Sequence, residues 1–263
     1  MAGEARDIKL RIDNVKKVFD GRGGEMVALN GVSMDILDNE FICVVGPSGC
    51  GKSTLLNIIA GLSEPTSGAV YCNGKEVQGT GTERGVVFQQ YALFPWLTVR
   101  KNVIFALEMR GVKGKEAQEE AMTYLKMVDL EKFADHYPKE LSGVMKQRVA
   151  IARAYAAKPE VLLMDEPFGA LDAQTRTQLQ TELIATWEKE KKTCFFITHD
   201  VDEAILLAQR VVIMSARPGR IKEIVPIDIP HPRNQETKMT PQFMELKNHI
   251  WGQVYQEYLE VRK

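Results

Sequence analysis

Nine consecutive residues, GPSGCGKST at 46–54, combine glycine, lysine and hydroxyl side chains at a spacing suited to one task, the holding of phosphate. Gly46, Gly51, Lys52 and Ser53 satisfy G-x-x-x-x-G-K-[ST], set between the apolar run FICVV and the helical pattern TLLNIIAGL. Glycine lets backbone N–H groups close around phosphate oxygens, a helix N-terminus adds a favourable dipole, and Lys52 extends a cation toward the β- and γ-phosphates. The expected nucleotide cradle is therefore the whole loop: Gly46, Pro47, Ser48, Gly49, Cys50, Gly51, Lys52, Ser53 and Thr54, with the Ser53 hydroxyl on Mg2+.

Chemistry on a triphosphate needs more than a cradle. At the end of VLLMDE, Asp165 stands where a carboxylate would hold Mg2+ through its water shell, and the adjacent Glu166 suits a base that orients or activates water. Acids that abut an apolar strand downstream of a phosphate loop are read here as functional, in preference to two exposed loop acids. His199, in ITHD, follows another apolar run. At the C-terminal end of a strand it faces the crevice where α/β sheets bind ligands, so it reads as a γ-phosphate contact ahead of a core histidine. Gln89, after GVVF, can sense the metal and the lytic water, or be an ordinary polar group at a strand end. Phe19, in VKKVFD, either stacks on adenine or belongs to the core of the first sheet.

A second anion device lies in ELSGVMKQRVAIARA, 140–154. Ser142 can cap the helix that follows, leaving N–H groups and a positive dipole end facing outward. The chain's own triphosphate already has a loop, a metal and acids around it, so this second device is expected to serve a nucleotide held by another molecule.

The elements that must position these groups are legible in the periodicity. Ile8, Leu10 and Ile12, then Val32, Met34 and Ile36, alternate with polar residues on either side of the turn-rich DGRGGE, which predicts an antiparallel sheet. FICVVG, GVVFQQ, VLLMDE, CFFITHD and VVIMSA are short apolar runs suited to a buried, parallel sheet. From about 97 to 157 no strand is convincing; Thr98 is a candidate cap, KEAQEEAMTYLKMV has an apolar stripe, and a further helix runs toward Pro159. The expected organisation is one domain over 1–263. Its α/β core comprises 1–96 and 158–220, with a helical insert at 97–157 and a strand, a Pro-rich loop and a closing helix at 221–263.

Composition sets limits. With 44% apolar and 26% charged residues over 263 positions, the chain has the make-up of a globular protein with a sizeable core. A net charge of −1 gives no overall basic field, so no nucleic acid partner is expected. No apolar run is long enough to span a bilayer, and the charged start MAGEARDIKLRID lacks the apolar stretch of a secretory signal, so a cytoplasmic location is expected. Cys43, Cys50, Cys72 and Cys194 show no metal-ligand spacing and read as reduced, structural thiols.

Taken in order, these segments resemble an ABC-type ATPase subunit over nearly the whole chain. GPSGCGKST is similar to its Walker A loop, and FQQ to its Q-loop. LSGVMKQR is similar to its signature and VLLMDEP to its Walker B strand, while FGALD and ITHD follow its D-loop and switch histidine. The resemblance implies a RecA-like P-loop NTPase fold with an N-terminal antiparallel β subdomain and an inserted α-helical subdomain. It implies a head-to-tail pair of cassettes, identical or not, sandwiching two ATPs. Ser142 and Gly143 would then contact the partner's γ-phosphate, Asp172 would reach across the dimer, and Gln89 would link the Mg2+ site to the helical lobe. Integral membrane permease subunits would dock beside that lobe, at the cytoplasmic face of the cell membrane. FQQYALFPWLTVRKNV, DEPFGALDAQTR and SARPGRI further resemble importers of nitrate, taurine and alkanesulfonates, which work with an extracytoplasmic solute-binding protein, and the tail is short for an added regulatory domain.

The signature departs from the family at one place, where Val144 replaces a second glycine. Valine keeps its backbone N–H, but its branched Cβ narrows the approach of a phosphate; alternatively it packs harmlessly beside the helix end. Exporter subunits share the same chemistry. A soluble ABC protein acting on nucleic acid or ribosomes is expected to carry a coiled coil, a metal-binding insert or a second cassette, and a P-loop kinase would lack the signature helix.

Overall fold

Leu10, Ile12 and Val15 point into the core from β1 (Ile8–Gly21), as Val32, Met34 and Ile36 do from β2 (Gly24–Leu37). The computed structural model describes residues 7–21, 24–169, 171–190 and 192–261. The centre of the expected DGRGGE turn, 22–23, and the six residues at the start of the chain lie outside that set. The two strands pair antiparallel, with Leu10 opposite Ile36, Ile12 opposite Met34 and Val15 opposite Val32, so one face of both is apolar, as the alternation predicts; Ile8, across a register shift from Leu10, is exposed instead. β3 (Phe41–Val45) is buried at every position and runs into the Gly-rich loop and α1 (Lys52–Ile59). The chain then returns through β4 (Ser67–Cys72) and β5 (Lys75–Glu76), giving an antiparallel sheet in the order β2-β1-β4-β5.

Two compact units follow from the contacts: Met1–Thr80 with Gln180–Lys263, and Gly81–Leu179. Within the second, β6 (Arg84–Val87) leads into α2 (Val99–Met109), α3 (Gly114–Met127) and α4 (Gly143–Ala156), and the chain comes back as β7 (Val161–Asp165) before α5 (Ala173–Glu190) begins. Residues 97–157 contain helices and no strand. Thr98 caps α2 by accepting from the Lys101 N–H at 3.3 Å. Val103, Leu107, Ala121, Leu125, Val149 and Ala152 form the shared core of the three helices. Burying each large aliphatic side chain there contributes roughly 1.5–3 kcal/mol. β6 and β7 run parallel, Arg84 opposite Val161 and Val87 opposite Met164.

In the first unit the remaining elements are β8 (Thr193–Ile197), α6 (Val201–Leu207), β9 (Arg210–Ser215), β10 (Arg220–Pro226) and α7 (Pro241–Val261). β3 lies between β8 and β9, parallel to both, while β10 joins β9 antiparallel. All five residues of β3 and of β8 are buried, which explains why their sequences are unbroken apolar runs. The four cysteines are buried thiols, none of them in a disulfide. Among the described residues no helix is long and apolar enough to cross a membrane.

Candidate functional site

Two neighbouring parallel strands of the first unit, β3 and β8, end level with each other, Val44 opposite Ile197. The 46–54 loop leaves one and the His199 turn leaves the other, the position where open α/β sheets present ligand groups. The loop's glycines have steric reasons. A Cβ on Gly46 would stand 2.7 Å from the Met214 carbonyl oxygen and 2.9 Å from Cys50 Sγ. Gly51 begins α1 with φ +93°, and a Cβ there would meet Leu29 Cδ2 at 2.6 Å. Lys52 does not extend into solvent. Its Nζ donates to the carbonyls of Gly46 at 2.8 Å and Pro47 at 3.1 Å, with Cys50 Sγ at 3.7 Å, and the residue is only 8% exposed. Burial pushes the Cys50 thiol up against the opposing pull of Lys52, so it stays protonated. Pro47 is buried, Thr54 half-buried, and Ser48, Gly49 and Ser53 are exposed.

His199 is exposed between two locked neighbours. Thr198 is buried, and its Oγ1 accepts from the Asp200 N–H at 3.0 Å. Asp200 Oδ1 in turn accepts from the N–H groups of Asp202 at 2.9 Å and Glu203 at 3.2 Å, which starts α6. Phe19 is 39% exposed on β1, with Lys17 Nζ 5.1 Å from its ring centre, so it is a surface aromatic and not a core one.

In the second unit, Gln89 and Glu166 each lie two residues beyond a registered pair, Val87 and Met164, and the structure brings them together. Gln89 Nε2 donates to Glu166 Oε2 at 3.4 Å. Glu166 has φ +43°, a left-handed conformation that a non-glycine residue adopts at some energetic cost, and its carbonyl accepts from the Gly169 N–H at 3.1 Å. Asp165 is the half-buried last residue of β7.

Ser142 caps α4 as its sequence position predicts, its hydroxyl accepting from the Met145 N–H at 3.2 Å; Ser142 and Gly143 are exposed and Val144 is half-buried. A Cβ on Gly143 would lie 3.0 Å from the Tyr91 hydroxyl, so the glycine clears a path for that ring. Tyr91 and Ala92 both have positive φ, and Arg153 of α4 holds their carbonyls at 3.4 and 2.8 Å. Neither Tyr91 nor Arg153 was legible as part of the site; the only signal was that Tyr91 directly follows FQQ and Arg153 lies within ELSGVMKQRVAIARA. Asp172 caps α5: its Oδ1 accepts from the N–H groups of Gln174 and Thr175 at 3.1 and 3.0 Å, and its Oδ2 from the Thr175 hydroxyl at 2.8 Å. These bonds, the Thr175 N–H foremost, hold its carboxyl below the usual carboxylate range.

Among the described residues there is no group of three or more His, Cys, Asp or Glu able to cage a metal. Mg2+ takes hard oxygen donors, one or two carboxylates and substrate phosphates in place of an all-protein cage; the exposed Ser53 hydroxyl in the first unit and, in the second, the Gln89 carboxamide and the Asp165 carboxylate carry oxygens of that kind.

The glycine-rich loop of the first unit and, in the second, the acids at the end of a parallel strand and the serine-capped helix are parts that a nucleotide-hydrolysing cassette carries. The chain belongs to the ABC transporter family, whose match covers residues 29–169, and it is an ATP-binding, ATP-hydrolysing subunit of that family. It is 54% identical over 256 residues to an uncharacterized ABC transporter ATP-binding protein of Methanocaldococcus jannaschii, covering 97% of this chain and 95% of that one. To the nitrate import ATP-binding protein NrtD of Synechocystis sp. it is 49% identical over 247 residues, 92% and 93% of the two chains. To the bicarbonate transport ATP-binding protein CmpD of Synechococcus elongatus it is 44% identical over 253 residues, 95% and 91%. Its fold is similar to that of the ATP-binding cassette MJ0796, solved as a dimer in a post-hydrolysis state bound to ADP and Pi. The TM-score is 0.77 at 35% identity, covering 84% of this chain and 100% of that one.

Proposed function

We propose that the chain powers a membrane importer for nitrate, taurine, a sulfonate or a similar small solute. It would work at the cytoplasmic face as one of two paired cassettes docked to integral membrane permease subunits, which receive solute from an extracytoplasmic binding protein. One observation carries the reading: the Gln89 carboxamide holds the Glu166 carboxylate at the level ends of two parallel strands, as a water-orienting base requires, in a chain whose near-full-length relatives include import subunits. An exporter subunit has the same chemistry; the likeness to the nitrate import subunit favours import.

In this reading the 46–54 loop binds the ATP phosphates, with Lys52 turning from the Gly46 and Pro47 carbonyls to phosphate oxygens. Phe19 offers its exposed ring to adenine. Ser53, Gln89 and Asp165 are the groups that would hold Mg2+, which when bound neutralises phosphate charge. Glu166 orients water and accepts its proton, and His199 hydrogen-bonds the γ-phosphate. Ser142 and Gly143 add their donors to the nucleotide of the second cassette, and Asp172 reaches toward that cassette. The γ-phosphate thereby joins the pair, and hydrolysis parts it.

Glu166→Gln tests the assignment. It should lower turnover by about 10²–10⁴-fold and yield, on size-exclusion chromatography with MgATP, a dimer that wild type does not accumulate. A variant that stays monomeric at saturating MgATP, and shows no closed state with its permease, sinks the role given to Glu166. In vesicles carrying the permease, ATP-dependent solute movement outward alone would remove the importer half of the proposal.

A further inference from the structure

His199 sits on a short turn between β8 and α6, and α6, at seven residues, is too short to stand on its own hydrogen bonds. Side chains from three other segments hold it. Gln180 of α5 donates through Nε2 to the buried Glu203 carboxylate at 2.7 Å. Lys247 of α7 pairs with Asp202, in the first turn of α6, at 2.8 Å. Arg233, in the loop before α7, grips the opposite end: Nη1 donates to the carbonyls of Ile205 at 2.5 Å and Ala208 at 2.6 Å. Its Nε and Nη2 reach the Ile229 and Ile227 carbonyls at 2.8 and 3.0 Å.

Arg233 is only 4% exposed, and burial pulls its pKa down to about 10, which leaves it charged at neutral pH. Desolvating a guanidinium is a poor way to gain stability, since an apolar side chain of similar volume would pack as well. What four directed bonds provide is orientation: two satisfy carbonyls at the C-terminal end of α6 and two tie the same guanidinium to the Ile227 and Ile229 carbonyls, which fixes one arrangement. The helix that carries Lys247 is itself anchored. Phe243 and Ile250 are fully buried, Lys222 of β10 pairs with Glu257 at 2.7 Å, and His249 meets Glu223 of β10 at 2.9 Å.

We infer that the segment from Ile227 to Val261 is the mount of His199, with Arg233 fixing the carboxyl end of α6 and Lys247 its amino end, so that together they set where the His199 ring stands. Arg233 and Lys247 are positioning residues. Their effect on turnover rests on the proposed contact of His199 with the γ-phosphate; their effect on the ring does not.

In the full-length protein, Lys247→Met removes a partly exposed ion pair without opening a cavity. It should displace the His199 ring resonance in an NMR spectrum of histidine-labelled protein, assigned by comparison with His199→Ala. ATP affinity should stay at the wild-type value while turnover falls about tenfold, the scale of loss that a small misplacement brings. In a His199→Ala background Lys247→Met should lower turnover no further, because the loss passes through the ring. Equal fractional losses in the two backgrounds, or a His199 resonance that does not move, overturn the inference. Arg233→Met should displace the resonance further, and Arg233→Lys should restore part of the shift. If His199→Ala alone keeps full turnover, the role of His199 in hydrolysis falls, and the ring resonance still decides whether the mount exists.

Discussion

The 46–54 loop and the first turn of α4 each bring a helix amino end to the place where the proposed function puts a phosphate, yet they are built differently. The loop turns into α1 through a left-handed Gly51 with no side-chain cap, and it keeps a buried lysine folded across its own carbonyls. The α4 turn is closed by the Ser142 hydroxyl and offers the exposed backbone of Ser142 and Gly143 to solvent. Beyond the roughly 0.3–1 kcal/mol that a helix dipole contributes toward an anion at either turn, the loop adds the Lys52 ammonium, whose charge-assisted bonds contribute about 1.5–3 kcal/mol each. In the proposed function the first device would therefore retain a nucleotide, and the second would add to one held by another cassette.

The largest test of that contrast is Lys52→Ala. Losing two charge-assisted bonds should weaken ATP binding on the order of a hundredfold, read by titration with a fluorescent ATP analogue. An affinity within a few-fold of wild type would mean that the loop does not depend on its cation and that the contrast is false. Comparable in size is a pair of glycine substitutions. Gly51→Ala combines a left-handed backbone with a clash at Leu29, so it should cost about 2–5 kcal/mol of stability. Gly49→Ala has φ +79° but nothing within 4 Å, and it should cost only about 1–2 kcal/mol. Urea unfolding of the two variants measures the difference, and equal losses would show that the close approach at Gly51 is relieved by movement of Leu29.

The smallest expected effect concerns α4. Val144 is half-buried and keeps its N–H, so only clearance separates it from glycine. Val144→Gly in the assembled complex should raise steady-state turnover about two- to fivefold, the kinetic equivalent of regaining a surface dipole contact. Unchanged turnover would show that the valine side chain never meets a phosphate.

How far the sequence reveals all this depends on whether a feature is local. Strands buried on both faces, such as β3 and β8, are unbroken apolar runs, and the caps at Thr98 and Ser142 are readable from residue type and place. Phe19 was not decidable, because β1 changes register between Ile12 and Val15, between Val15 and Lys17, and between Lys17 and Val18; each irregularity breaks the in–out alternation on which periodicity depends. SGAVYC, which forms β4, is too short and too mixed in character to stand out before its pairing with β1 is known. Asp172 as a helix cap, Arg153 on the Tyr91 and Ala92 carbonyls, and Arg233 on α6 are contacts that exist only once the chain is folded.

The folded-back posture of Lys52 has a consequence for how nucleotide enters. Its ammonium group has already shed most of its hydration and rests on neutral oxygens, so an arriving phosphate trades places with carbonyl dipoles instead of with water. Affinity then reflects the difference between two sets of oxygens competing for one ammonium. A change in the backbone of Gly46 or Pro47 that weakened their grip would make the cradle more receptive without touching any atom of the ligand.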